Sequence, residues 1–169
     1  MTAALGAAAF LLLWVMLGLA YMAGLRALLE ARESALLRHL ALLTDQLSSL
    51  QASLADVTER EWRDSATAME RILETLAGRE PLRAKAGAAQ ELRLLLSKQV
   101  QLMVTKPTSL PSRISDQALA AEHALERVER DLEQYDSAAA DAAFCRERFP
   151  LSLMASAVRL RAQPILFGG

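Results

Sequence analysis

The sequence predicts an all-α protein: an N-terminal transmembrane helix followed by an elongated antiparallel bundle of about four helices. Three observations predict it. Apolar residues make up 53% of the 169 residues while aromatics are only 5%, so Leu and Ala do the burying. Both are strong helix formers because they lose little rotamer freedom in a helix. The residues 2–25 carry no charged side chain. After them, apolar residues recur at alternating spacings of four and three.

The anchor comes first. About 20 apolar residues at about 1.5 Å each cross a hydrocarbon core of ~30 Å. Trp14 falls mid-segment and Tyr21 near its end, where an interfacial ring is favoured. A cleaved signal peptide would need a basic leading region and small residues in an A-x-A pattern. The nearest match, Tyr21-Met22-Ala23, carries a bulky Tyr at the wrong place, so the reading is an uncleaved, single-pass anchor. Arg26, Arg32 and Arg38 follow the anchor and no basic residue precedes it. The positive-inside tendency then puts the N-terminus outside and the bundle in the cytoplasm of a cell (inner) membrane. The expected division is 1–25 anchor, 26–149 helical bundle and 150–169 amphipathic tail.

The first soluble helix has the seam Leu36, Leu40, Leu43, Leu47, Leu50, Leu54 and Val57, an a/d pattern without a miss. The second has Trp62, Ala66, Met69, Leu73 and Leu76, ending at the stop signals Gly78 and Pro81. The stretch 78–87 reads as a loop. A third helix follows with Leu92, Leu95, Leu96, Val100, Leu102 and Met103, and 106–112, rich in Pro and Ser, breaks it. The fourth seam is Ile114, Ala118, Ala121, Leu125, Val128, Leu132, Tyr135, Ala139 and Ala142. Phe149-Pro150 ends it, because a residue before proline is pushed out of the helical region. The Ala-rich end at 138–143 allows close approach of a neighbour. Amphipathic helices need partners, and short connections make neighbours antiparallel. Helices one and four would each be about 50 Å long.

After Phe149 the tail carries Leu151, Leu153, Met154, Val158, Leu160, Ile165, Leu166 and Phe167 with Arg159 and Arg161, and no acid. Two readings stand side by side: contact with membrane lipid, or a cap on the open end of the bundle.

Little in the chain points to chemistry. A net charge of −1 gives no basic field for nucleic acid. Cys145 is the single cysteine, so no internal disulfide can form. Near a helix C-terminus its thiolate would be disfavoured, and a small buried hydrophobe is the default. His123 has Glu122 and Glu126 nearby, but a metal site needs three or four converging ligands. Neither His39 nor His123 follows the Glu-x-x-His spacing of di-iron bundles. No phosphate loop, G-x-S-x-G or H-E-x-x-H occurs. No cofactor and no enzymatic activity are expected.

The charged face of the fourth helix, Glu126, Glu129, Arg130 and Glu133, reads as a solvated surface able to dock a protein partner. The seam of the first helix could equally close against a second copy of the chain.

The closing part of the chain has Arg127-Val128, then Tyr135-Asp136, then Phe149-Pro150, with Leu153 and Ala155 following. In these residues it resembles the LemA family of bacterial membrane-anchored helical proteins. That family carries an Arg-Ile pair, Tyr-Asn pairs and a Phe-Pro terminus in its closing helix. The second Tyr-Asn is Ala142-Ala143 here, and Asp45 to Leu50 lacks the proline of the family's first long helix. The resemblance implies a membrane helix, a long first helix and a closing helix. It implies no defined reaction, since the family has no agreed biochemical activity. The function expected is an interaction or scaffold module, with a structural role through lipid contact of the tail as the alternative.

Overall fold

A computed structural model describes residues 2–57, 59–105, 112–148 and 150–166, with side chains from Gly6 onward. Phe149, the break at 106–111 and Phe167 lie outside the described residues. The fold is all-α: α1 (Thr2–Ala55), α2 (Arg60–Ala77), α3 (Leu82–Thr105), α4 (Ser112–Glu147) and α5 (Leu151–Ala157), with no strand among the described residues. Among the described residues one helix, α1, is long and apolar enough to cross a membrane. Its most apolar window has a mean hydropathy of 2.1 and is only 11% buried against protein, unlike the core helix of a soluble domain. The helix continues without a break into the first leucine seam.

The chain divides into two compact units, and the division differs from 1–25, 26–149 and 150–169. Unit 1 is Met1–Ser34 with Gln134–Gly169, and unit 2 is Ala35–Glu133. The tail is therefore part of the same unit as the apolar half of α1, and α1 and α4 each supply residues to both units.

Unit 2 is a four-helix core. Leu36, Leu40, Leu43, Leu47, Leu50 and Leu54 of α1 and Ile114, Ala118, Ala121, Leu125, Val128 and Leu132 of α4 are all buried, as the seams predict. Gln117 Nε2 donates to Ser49 Oγ at 2.8 Å, and His39 Nδ1 is hydrogen-bonded to Asp131 Oδ2. The two contacts run in opposite chain directions, so α1 and α4 are antiparallel here. Val57 is half-buried. Trp62 is fully buried at the start of α2, and its indole N–H donates to Glu59 Oε2 at 3.1 Å.

Three details depart from expectation. In α2, Ile72 is buried and Leu73 half-exposed. In α3 the buried line is Ala89, Leu92, Leu96 and Gln99, while Leu95, Val100, Leu102 and Met103 are half-exposed. The expected loop at 78–87 shrinks to 78–81, because α3 starts at Leu82. Pro81 needs no donor at a helix start, and its carbonyl accepts from Ala84 N at 2.9 Å and Lys85 N at 3.2 Å. Lys85 Nζ also donates to the orphan carbonyl of Leu76 at 2.8 Å, closing the α2–α3 hairpin.

Unit 1 buries Met22, Leu25 and Leu29 of α1 against Tyr135, Ala138, Ala139, Ala142 and Cys145 of α4 and Met154, Ala155, Leu160 and Leu166 of the tail. The sequence reading missed α5 as an element. It ends in a Schellman motif: Leu160 N donates to Ala155 O at 2.9 Å and Arg159 N to Ser156 O at 3.1 Å. Arg159 occupies the left-handed position, with φ 54°.

Candidate functional site

In unit 1 the chain after α5 is held on α4 by two consecutive residues. Tyr135 Oη donates to Gln163 Oε1 at 2.9 Å, and the Asp136 carboxylate accepts from the Leu166 amide. Tyr135 is a buried seam residue, and burial pushes its hydroxyl above the usual tyrosine range, with Glu33 and Asp136 adding to the shift. The proton therefore stays on the oxygen and serves as a hydrogen-bond donor. Arg26 Nη1 donates to Val158 O at 3.1 Å and pairs with Glu30 at 2.8 Å. A polar groove is lined by Arg26, Glu30 and Glu33 on one side and Arg159, Arg161 and Gln163 on the other. Pro150 precedes α5 and makes its first turn, its carbonyl accepting from Leu153 N at 3.2 Å. Cys145 is buried, and burial, with Asp141, pushes its thiol upward, away from a reactive thiolate.

In unit 2 the charged residues of α4 separate into two groups. Glu129 is paired with Arg93 of α3 at 2.6 Å and is only 23% exposed, so it ties two helices together. Glu126, Arg130 and Glu133 are exposed. Glu126 has weak partners on its own helix, His123 at 3.8 Å and Arg130 at 4.0 Å. Val128 is core, whereas Arg127 lies in a groove with both histidines, Gln46 and two alanines, Ala120 and Ala124. Among the described residues no three of His, Cys, Asp and Glu come together as metal ligands would.

A second groove lies between α2 and α3. Ile72, Leu94 and Leu95 line it, with Arg71, Glu74, Glu91 and Lys98 around them. Leu94 is 72% exposed. The signal was in the sequence as the triplet Leu94-Leu95-Leu96. At 100° per residue three successive leucines cannot all face one core, and the first of them is left outside.

The fold and these surfaces define an all-α helical protein with one helix long and apolar enough to cross a membrane. No protein-family model, no curated protein and no solved structure matches the chain.

Proposed function

We propose that the chain is a membrane-tethered, non-enzymatic docking module of the LemA type, in which α1 is an uncleaved anchor and the α2–α3 groove receives an amphipathic helix of a partner protein. The observation that carries this reading is Leu94. Single exposed leucines are ordinary. This one continues into Ile72 and Leu95, and salt-capable side chains of both signs flank the strip. That composition suits helix-in-groove recognition, with apolar anchors inside and charges at the rim fixing orientation. The exposed Glu126, Arg130 and Glu133 of α4 offer a second, purely polar surface, worth little affinity by itself.

The basic residues support a cytoplasmic bundle. Arg159 and Arg161 share a groove with Arg26, adding positive charge beside the end of the apolar stretch. The LemA reading rests on Arg127-Val128, Tyr135-Asp136 and Pro150 as motif positions, two of which clasp the tail.

Photo-crosslinking in cells from position 94, with the exposed Arg60 as control, tests the docking reading. A discrete foreign protein, captured at 94 and lost when the exposed rim residues Arg71 and Lys98 are changed to Glu, is the expected result. Crosslinks only between copies of the chain would replace the partner by a homo-oligomer. Equal labelling at 94 and 60 would remove the groove from consideration.

A further inference from the structure

We propose that α5 and the last turns of α4 form a collar that lies in the headgroup zone of the bilayer crossed by α1 and binds anionic phospholipid. The inference rests on reading α1 as the membrane anchor. Three independent features of unit 1 carry it.

The first is position. A Cβ built on Gly18 would meet Met154 Sδ at 2.3 Å, so the buried face of α5 lies against α1 at Gly18. Arg26 reaches Val158 at the other end of α5. The helix thus runs beside the final turns of the uncharged stretch. The second is exposure. Leu153 is 64% exposed on the side of α5 away from Met154 and Ala155. Phe144, on the last turns of α4, is 49% exposed, and Tyr21 of α1 is 57% exposed. Phe10 to Leu17 of α1 are exposed as well, as a segment that a bilayer covers would be. Burying leucine and aromatic rings there is the ordinary driving force for an interfacial helix.

The third is charge. After Glu147 the chain has Arg148, Arg159 and Arg161 and no acid. Arg148 stacks over the Phe144 ring at 4.2 Å, coupling a cation to an apolar group as interfacial residues do. Arg159 sits at the left-handed position of the Schellman motif, where glycine is preferred. The backbone there gains nothing from arginine. The groove that Arg159 lines also holds Arg26, Arg161, Glu30 and Glu33, so three guanidiniums face two carboxylates and a lipid phosphate would complement the excess cation, as anionic leaflets do for juxtamembrane arginines.

The test uses the full chain in phosphatidylcholine vesicles with and without phosphatidylglycerol. In a Cys145→Ala background, a fluorescent label is placed in turn at Leu11→Cys, Phe144→Cys, Leu153→Cys and Leu94→Cys. Nitroxide lipids and an aqueous nickel chelate are the quenchers. Labels at 144 and 153 should be quenched by shallow nitroxides and shielded from nickel, the label at 11 by deep nitroxides, and the label at 94 by nickel alone. Phosphatidylglycerol should strengthen shallow quenching at 153, and neutralising each of Arg148, Arg159 and Arg161 to Gln should weaken docking about fivefold. Arg159→Gly should lose the same response while keeping or raising the thermal midpoint, which separates lipid binding from folding.

Lipid quenching at 11 with full nickel access at 144 and 153 overturns the collar and leaves the anchor standing. Shielding of 153 from both quenchers means protein covers it, and overturns the collar as well. Absence of deep quenching at 11 removes the anchor and, with it, the basis of the collar.

Discussion

Tyr135 donates its hydroxyl proton to Gln163 Oε1 across 2.9 Å, between a fully buried residue of α4 and an otherwise irregular tail. Tyr135→Phe keeps the ring and removes that bond. The expected loss is about 1 kcal/mol, the net value of one such hydrogen bond. Amide exchange should rise at Leu160 to Leu166 before it rises in α4. The raised hydroxyl also makes stability pH-dependent. A folded-state value above the unfolded one near 10 means the stabilisation is complete below pH ~10 and fades as pH rises through the folded value. Thermal midpoints measured from neutral pH to about pH 11 should fall less steeply in Tyr135→Phe. Equal slopes in the Cys145→Ala background, which removes the other raised group, would exclude Tyr135 as the source.

Gln99 is fully buried in α3, and neither its Nε2 nor its Oε1 has a partner among the described residues. Leaving an amide desolvated costs about 1–3 kcal/mol. Gln99→Leu, close in volume, should therefore raise the unfolding free energy by about 1–2 kcal/mol and move the denaturation midpoint upward. Chemical denaturation of the two proteins with unchanged slope checks it. A destabilised leucine variant would mean that the amide is bonded in solution.

Gly87 lies inside α3, exposed, and an added Cβ would meet nothing within 4 Å. Glycine in a helix interior is less favourable than alanine by about 0.8–1.0 kcal/mol. Gly87→Ala should stabilise unit 2 by that order, readable as an upward shift of the thermal midpoint.

Leu92 and Leu94 stand two residues apart on α3, 0% and 72% exposed. Leu92→Ala should cost about 2–5 kcal/mol by opening a cavity. Leu94→Ala should stay within about 0.5 kcal/mol of the parent. If Leu94→Ala instead destabilised strongly, the side chain would be covered by a second copy in solution, detectable as a concentration-dependent midpoint.

Much of this architecture was readable before any tertiary contact was known. The seams Leu36 to Val57 and Ile114 to Ala142 are buried at every predicted position except Val57, which is half-buried. An alternation of four and three needs only local geometry, since it records which side of one helix is apolar. The candidate surfaces were less legible. Glu129 reads as solvated from its own helix and is held by Arg93, 36 residues away. Ile72 and Leu73 are both apolar neighbours, and only the packing of α2 shows that Ile72 is the buried one.

The sequence by itself determined four of the helices, the stops near Pro81 and at Pro150, and an uncharged stretch long enough to cross a membrane. Only the tertiary structure decided that the tail is a short helix against Gly18 and a strand of irregular chain clasped by Tyr135 and Asp136. The reason is range. Helix propensity and periodicity act over a few residues, whereas Met154 meets Gly18 and Val158 meets Arg26 across more than 130 positions. Such contacts depend on where two distant surfaces complement each other, and no local pattern records that.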